Sequence, residues 1–131
     1  MTRRLVGMFA ITMLAMGPSL LTAGGSPETR LRATLTGPRI GLLTPSGQAD
    51  YRARDGRARL TIQVEDVSVA VGTVLDAYIN GTKAGTITVG AVTLGGELDL
   101  NTDDGQSVPS VAKGAVVVVK LGDQAVLAGV F

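Results

Sequence analysis

The chain has no cysteine, no histidine and no tryptophan, and aromatic residues make up only 3% of it. Each absence removes a class of chemistry. Without cysteine there is no thiol nucleophile, no soft-metal thiolate site and no disulfide to staple a small domain. Without histidine the commonest general base, the usual partner of a serine nucleophile and the commonest metal ligand are all missing. The remaining serines and threonines could be activated only by Lys83, Lys113 or Lys120, and no recognised motif joins them. The residues do not describe an enzyme. Scarce aromatics also leave no platform on which bases or sugar rings would stack. An excess of one charge is lacking too: 12 Lys and Arg face 11 Asp and Glu, which argues against nucleic acid as a partner.

What is present begins with a leader. Met1-Thr2-Arg3-Arg4 is short and basic, Leu5 to Met16 is apolar apart from Gly7 and Thr12, and Gly17-Pro18 interrupts it. Small residues follow at Thr22-Ala23-Gly24-Gly25. This is the layout of a secretory signal peptide, expected to span residues 1–24 with cleavage between Ala23 and Ser26. Its apolar core is shorter than the ~20 residues a membrane helix needs, so no stable span is expected after cleavage. The expected location is secreted, periplasmic or elsewhere in the cell envelope. Loss of Arg3 and Arg4 moves the formal net charge from +1 to −1. Residues 25–131 then suffice for a single domain with one core.

The chain past the leader alternates rather than coils. Asp55-Gly56 sits between two alternating runs, a strong short-range hairpin signal. With these as the turn, Arg54 faces Arg57, Ala53 faces Ala58, Arg52 faces Arg59, and Tyr51 faces Leu60. Period-2 alternation puts Tyr51, Ala53, Ala58, Leu60, Ile62 and Val64 on one face and Arg52, Arg54, Arg57 and Arg59 on the other. Upstream, Arg30 to Thr36 sets Leu31, Ala33 and Leu35 against Arg30, Arg32, Thr34 and Thr36. Downstream, Thr73 to Ile79 and Thr82 to Val89 flank Asn80-Gly81, a second turn signal that also accounts for the glycosylation-like Asn80-Gly81-Thr82. The second of these runs sets Lys83, Gly85, Ile87 and Val89 on one side. Val92 to Leu100 puts Val92, Leu94, Leu98 and Leu100 on one face, with Gly95-Gly96 predicting a bulge or sharp bend. Ala115 to Leu121, apolar except for Lys120, predicts a central strand covered on both sides. Gly122-Asp123 turns the chain into Ala125 to Phe131.

The fold class expected is all-β, a small antiparallel β-sandwich or barrel of about eight short strands. A lipid-facing barrel does not fit, since its strands run ~9–11 residues behind aromatic girdles. Phe131 is expected to plug the end of the core.

Two constellations carry candidate chemistry. The first is the arginine face, Arg52, Arg54, Arg57 and Arg59. Like charges opposite one another across a hairpin repel, so the face needs solvent, nearby Asp50 and Asp55, or an anionic partner to relieve it. As a site it suits sugar acids, envelope phosphates or another protein's carboxylates; as mere structure it is a charged face that resists edge-to-edge aggregation. The second is the acidic stripe Glu97, Asp99, Asn101, Asp103 and Asp104. Oxygen ligands of this kind suit Ca²⁺, and Asp99 to Gly105 partly imitates a D-x-N-x-D-G calcium loop. Ser110 stands where the closing Glu would be, and the plainer reading is a solvated face ending in an Asp-rich turn. No other cofactor is implied. The two stripes could also meet between copies in charge-driven self-association.

Ala49-Asp50-Tyr51-Arg52, Val64-Glu65-Asp66-Val67, Gly72-Thr73-Val74, Asn80-Gly81, Gly85-Thr86-Ile87-Thr88 and Gly96-Glu97-Leu98-Asp99-Leu100 form a pattern. Asn101-Thr102-Asp103-Asp104-Gly105, Val108-Pro109 and Val126 to Phe131 continue it over most of residues 30–131. In this the chain resembles uncharacterised small exported bacterial β-domains and is more faintly similar to chordin-type extracellular β-domains. The resemblance implies an exported all-β fold and assigns no site. The expectation is an exported, non-catalytic binding or structural module. Its partner would be an unknown protein or an anionic envelope ligand. The alternative is a Ca²⁺-dependent adhesion or carbohydrate-binding domain using the acidic loop 97–105.

Overall fold

A computed structural model describes residues 27–131; the expected signal peptide and its cleavage site lie outside the described residues. Eight strands follow one another: β1 (Thr29–Thr36), β2 (Ser46–Arg54), β3 (Arg57–Glu65), β4 (Val74–Ile79), β5 (Thr82–Thr88), β6 (Gly96–Asn101), β7 (Val116–Leu121) and β8 (Gln124–Val130). They make one antiparallel sheet in the order β5-β4-β7-β8-β1-β2-β3-β6. The sheet curls until its outermost strands, β5 and β6, touch. The result is a nearly closed barrel made of two four-stranded halves.

The turns begin with local chemistry. Asp55 and Gly56 both have positive φ, 53° and 76°, as do Asn80 and Gly81 at 49° and 83°. This is the geometry of the tight hairpin turn whose twist suits the flanking strands. The register expected across Asp55-Gly56 is the register observed, from Arg54 opposite Arg57 to Tyr51 opposite Leu60. The Asn80 side chain accepts a hydrogen bond from the Val116 N–H at 2.9 Å, so the turn residue also pins the start of β7.

Alternation then fills the interior. Leu35, Leu60 and Ile62 from one half meet Leu75, Ile87, Val117, Val119 and Leu127 from the other, all essentially inaccessible to water. Among the described residues no polar or charged side chain is buried. Complete burial of each such Leu or Ile contributes about 1.5–3 kcal/mol. Apolar inside and charged outside is the reverse of a barrel that faces lipid. Among the described residues no helix is long and apolar enough to cross a membrane.

Both seams depend on close backbone approach. Between β8 and β1 the register holds only at Thr36 and Ala128, and a side chain on Gly37 or Gly129 would overlap the carbonyl oxygens of Val126 or Thr34. Gly95 and Gly96 serve the other seam. A Cβ on Gly95 would collide with Val64 of β3, and one on Gly96 with Thr88 of β5. Of the expected bulge or sharp bend, the chain shows the bend: it turns through residues 91–94, with Leu94 at φ 51°, and the glycine pair then lets the backbones approach.

Bulges lie instead in β5 and in β8, where Val126 is left over between Ala125 and Leu127. The register slips between Ala77 and Tyr78, so Tyr78 faces Lys83 and Ala84 is left over. The slip turns Lys83 outward, 3.0 Å from Asp76, against the expectation that it shares a face with Ile87. Two further expectations are corrected. Val92 is 98% exposed, in a turn ahead of β6 rather than within it. The β7 strand is buried on one face only: Val117 and Val119 point inward, while Val116 is open to solvent and Val118 half-buried.

Candidate functional site

The outer face of the β1-β2-β3-β6 half is polar throughout, and register arranges its side chains in rows across the strands. One row is Arg30, Arg52, Arg59 and Asn101. The next is Arg32, Asp50, Thr61 and Asp99, and the third is Thr34, Gln48, Gln63 and Glu97. Beyond the first row, at the hairpin tip, Arg54 faces Arg57. Neighbouring strands lie ~4.8 Å apart, so guanidinium groups of one row reach a common ligand.

The expected arginine face is therefore wider than the hairpin and unequal along its length. Arg54 and Arg57 have loose ion pairs with Asp55 at 3.6 Å and Asp103 at 3.9 Å. Arg59 is held firmly. Its Nε and Nη2 donate to the two oxygens of Asp99 at 3.0 and 2.7 Å, the two-pronged geometry that guanidinium and carboxylate favour. That hydrogen bond, with the Asp99 charge, raises the Arg59 pKa above the ordinary guanidinium value. In return Asp99 is lowered, by the Arg59 hydrogen bond first, by the Arg59 charge and a Thr61 hydrogen bond, against opposition from partial burial. Arg32 donates to Asp50 at 2.7 Å. Partial burial pushes the Asp50 carboxyl upward, but hydrogen bonds from Gln48 and Arg32 and the charges of Arg32 and Arg52 bring it below its usual value.

Arg30 and Arg52 stand apart. Among the described residues neither has a carboxylate within ion-pair distance. Arg52 sits directly between Arg30 and Arg59, so it faces a like charge on each side. A shallow depression of about 350 Å³ opens over these three arginines, with Arg32, Asp50, Thr61 and Gln63 also on its wall. A second, of about 420 Å³, continues towards the tip and includes all four arginines expected from the hairpin: Arg52, Arg54, Arg57 and Arg59. A third, of about 500 Å³, continues the other way over Gln48, Gln63 and Glu97.

The acidic stripe lies beside the arginines, on the adjacent strand of the same face. Asp99 is committed to Arg59, and Glu97 accepts from the Gln63 amide at 3.1 Å. The chain then enters a 3₁₀ turn, Thr102–Asp104, closed by Gly105 at φ 77°. The Asn101 side-chain oxygen caps it by accepting from the Asp103 N–H at 3.0 Å, and the Thr102 hydroxyl ties it to Ala58 of β3. The resemblance to a calcium loop thus has a structural origin, since Asx capping and a left-handed glycine are what a tight turn needs. Glu97, Asp99, Asn101, Asp103 and Asp104 are not drawn round a common point. Among the described residues no three Asp or Glu groups converge.

Arg30, Arg32, Gln48, Thr61 and Gln63 were missed as site residues. The signal for the arginines was present, since Arg30 and Arg32 alternate with Leu31 and Ala33. What the residues alone do not give is which strand lies beside β2.

No known protein family, curated protein or solved structure matches this chain.

Proposed function

We propose that the chain is an exported, non-catalytic binding module of the cell envelope or extracellular space, taking an anionic ligand on the outer β1-β2-β3 face. The observation that carries this reading is the Arg30–Arg52–Arg59 row: three cations in register, two of them with no carboxylate at ion-pair distance among the described residues, over an open depression. A solvated face used only for solubility would gain from interspersed signs, as the neighbouring row has in Arg32, Asp50 and Asp99. Concentrating positive charge in one row costs stability, and an anion seated between the guanidinium groups offsets that cost. Self-association through the two charged stripes would require Arg59 and Asp99 to exchange partners, which the two-pronged contact between them opposes.

Calorimetric titration of the secreted protein with three anionic polymers of differing chemistry, a polyuronate, a polyphosphate and poly-glutamate, tests the reading at low salt. At least one binds, and Arg52→Thr weakens it about tenfold. If none of the three binds, the row is a solubility device and the proposal fails. Fusion of residues 1–26 to a reporter enzyme tests export: the reporter leaves the cytoplasm, and retention inside would refute that part.

A further inference from the structure

From the row chemistry we infer that the ligand is an acidic polysaccharide, lying along β2 and β3 with its acid group at the arginine row and its neutral hydroxyls at the amide row; this rests on the anion-binding reading. The three depressions share walls: Arg52 and Arg59 belong to the first two, and Gln63 joins the first to the third. Together they follow the strands for four two-residue steps, from Arg54 to Ser46 on β2, roughly 26 Å. The chemistry changes along that length. At the basic end arginines dominate, although Asp50, Glu28 and Asp103 also line it. Past the Arg32–Asp50 pair, the walls become Gln48, Gln63, Thr34, Ser46 and Glu97. These amides, hydroxyls and carboxylate offer both donors and acceptors. A hydroxyl group is both donor and acceptor, and a chain of hydroxyls bearing an occasional acid matches this order.

Other polyanions match it poorly. A polyphosphate repeats one charge at every unit and would meet Glu97, Glu65 and the Gln63–Glu97 pair at the far end. An acidic peptide gains most of its affinity from apolar anchors in pockets, and the rows of this face contain no apolar side chain. The face has no aromatic platform either, so the sugar would be held by its edges through hydrogen bonds, with specificity set by the acid group.

Titration of the intact secreted protein with a hyaluronan oligosaccharide of six or more units, in which uronate and neutral sugars alternate, separates these cases. Parallel titrations use its methyl-esterified form, polyphosphate and poly-glutamate, each at 50 and 300 mM NaCl. Two single variants are compared with the unchanged protein. Arg52→Thr removes the unpaired charge, and Gln63→Ala removes an exposed amide without changing net charge. Because both side chains point outward, Arg52→Thr should melt at or above the original temperature, and Gln63→Ala slightly below it through loss of the Glu97 contact. The expected result is binding of the free-acid oligomer, loss of about tenfold on esterification or on Arg52→Thr, and loss of about threefold or more with Gln63→Ala at both salts. Polyphosphate or poly-glutamate binding as tightly as the uronate, or indifference to Gln63→Ala, would overturn the glycan assignment and leave the anion site standing. Failure of every anion to bind would overturn both.

Discussion

Arg52 carries two like-charged neighbours in register, Arg30 and Arg59, and among the described residues has no carboxylate within ion-pair distance. A residue selected for stability alone would not be an arginine. Arg52→Thr should therefore stabilise the fold by a few tenths of a kcal/mol, since exposed cross-strand pairs act on that scale once solvent screens them. The urea midpoint of the variant is expected to rise at low salt and to approach the original at 0.5 M NaCl, where the repulsion is screened. A lower midpoint at low salt would mean that Arg52 stabilises the strand in some other way. The two lowered carboxyls make a second residue-scale prediction. Asp50 and Asp99 sit below their ordinary value of 3.8 in the folded chain. Their contribution is thus complete above that value and is lost as pH falls through the lower folded values. Urea midpoints should be flat down to about pH 5 and decline below pH 4. Asp50→Asn should make the decline shallower. At this scale the sequence was informative about orientation but silent about company: alternation pointed Arg30 and Arg32 outward, and only pairing with β2 made Arg30 part of a row.

The elements are set by turns, and the turns were the most legible part of the chain. Asp55-Gly56 and Asn80-Gly81 need positive φ at both positions, a requirement written in residue type. The elements that resisted reading depend on distant partners. Ala84 is extra only because Tyr78 pairs with Lys83, and nothing in the β5 residues themselves announces it. Val92 extends the alternation of β6 on paper but lies in a turn, because β6 can begin only where Gly95 and Gly96 let the backbone pass Val64 and Thr88. That reasoning makes the seam a sensitive place. Gly95→Ala should cost about 1–3 kcal/mol by forcing β6 away from β3, while Gly56→Ala meets no neighbouring atom and suffers only its backbone strain. Leu98 lies over Gly85, where it closes the gap between β5 and β6. Leu98→Ala should destabilise by roughly 1–2 kcal/mol, less than a fully buried leucine. It should also raise hydrogen exchange in β5 and β6 ahead of β2 and β3. Uniform exchange across all strands would show that the seam is not the weak point.

At the scale of the whole molecule, eight antiparallel strands around one apolar core follow from period and turn spacing. The order of the strands does not. Joining β8 to β1 and β3 to β6 requires contacts between residues far apart in sequence, whose pairing leaves no local mark. The arrangement of charge depends on that order. The hairpin arginines and the acidic stripe are neighbours on one face, so Asp99 neutralises Arg59 within the molecule and leaves Arg30 and Arg52 as the open part of the site. The opposite half presents Tyr78, Val116 and Val118 on its outer face beside the Lys83–Asp76 pair and Lys120, so it has no counterpart of the arginine row. The most direct measurement is an amide-resolved NMR titration of the protein with the hyaluronan oligosaccharide. The expected result is a set of shifts confined to Arg30–Thr34, Ser46–Arg54, Arg57–Gln63 and Glu97–Asp99, saturating at about tenfold higher ligand in Arg52→Thr. Shifts centred on β4, β7 and β8, or none along the arginine row, would contradict it.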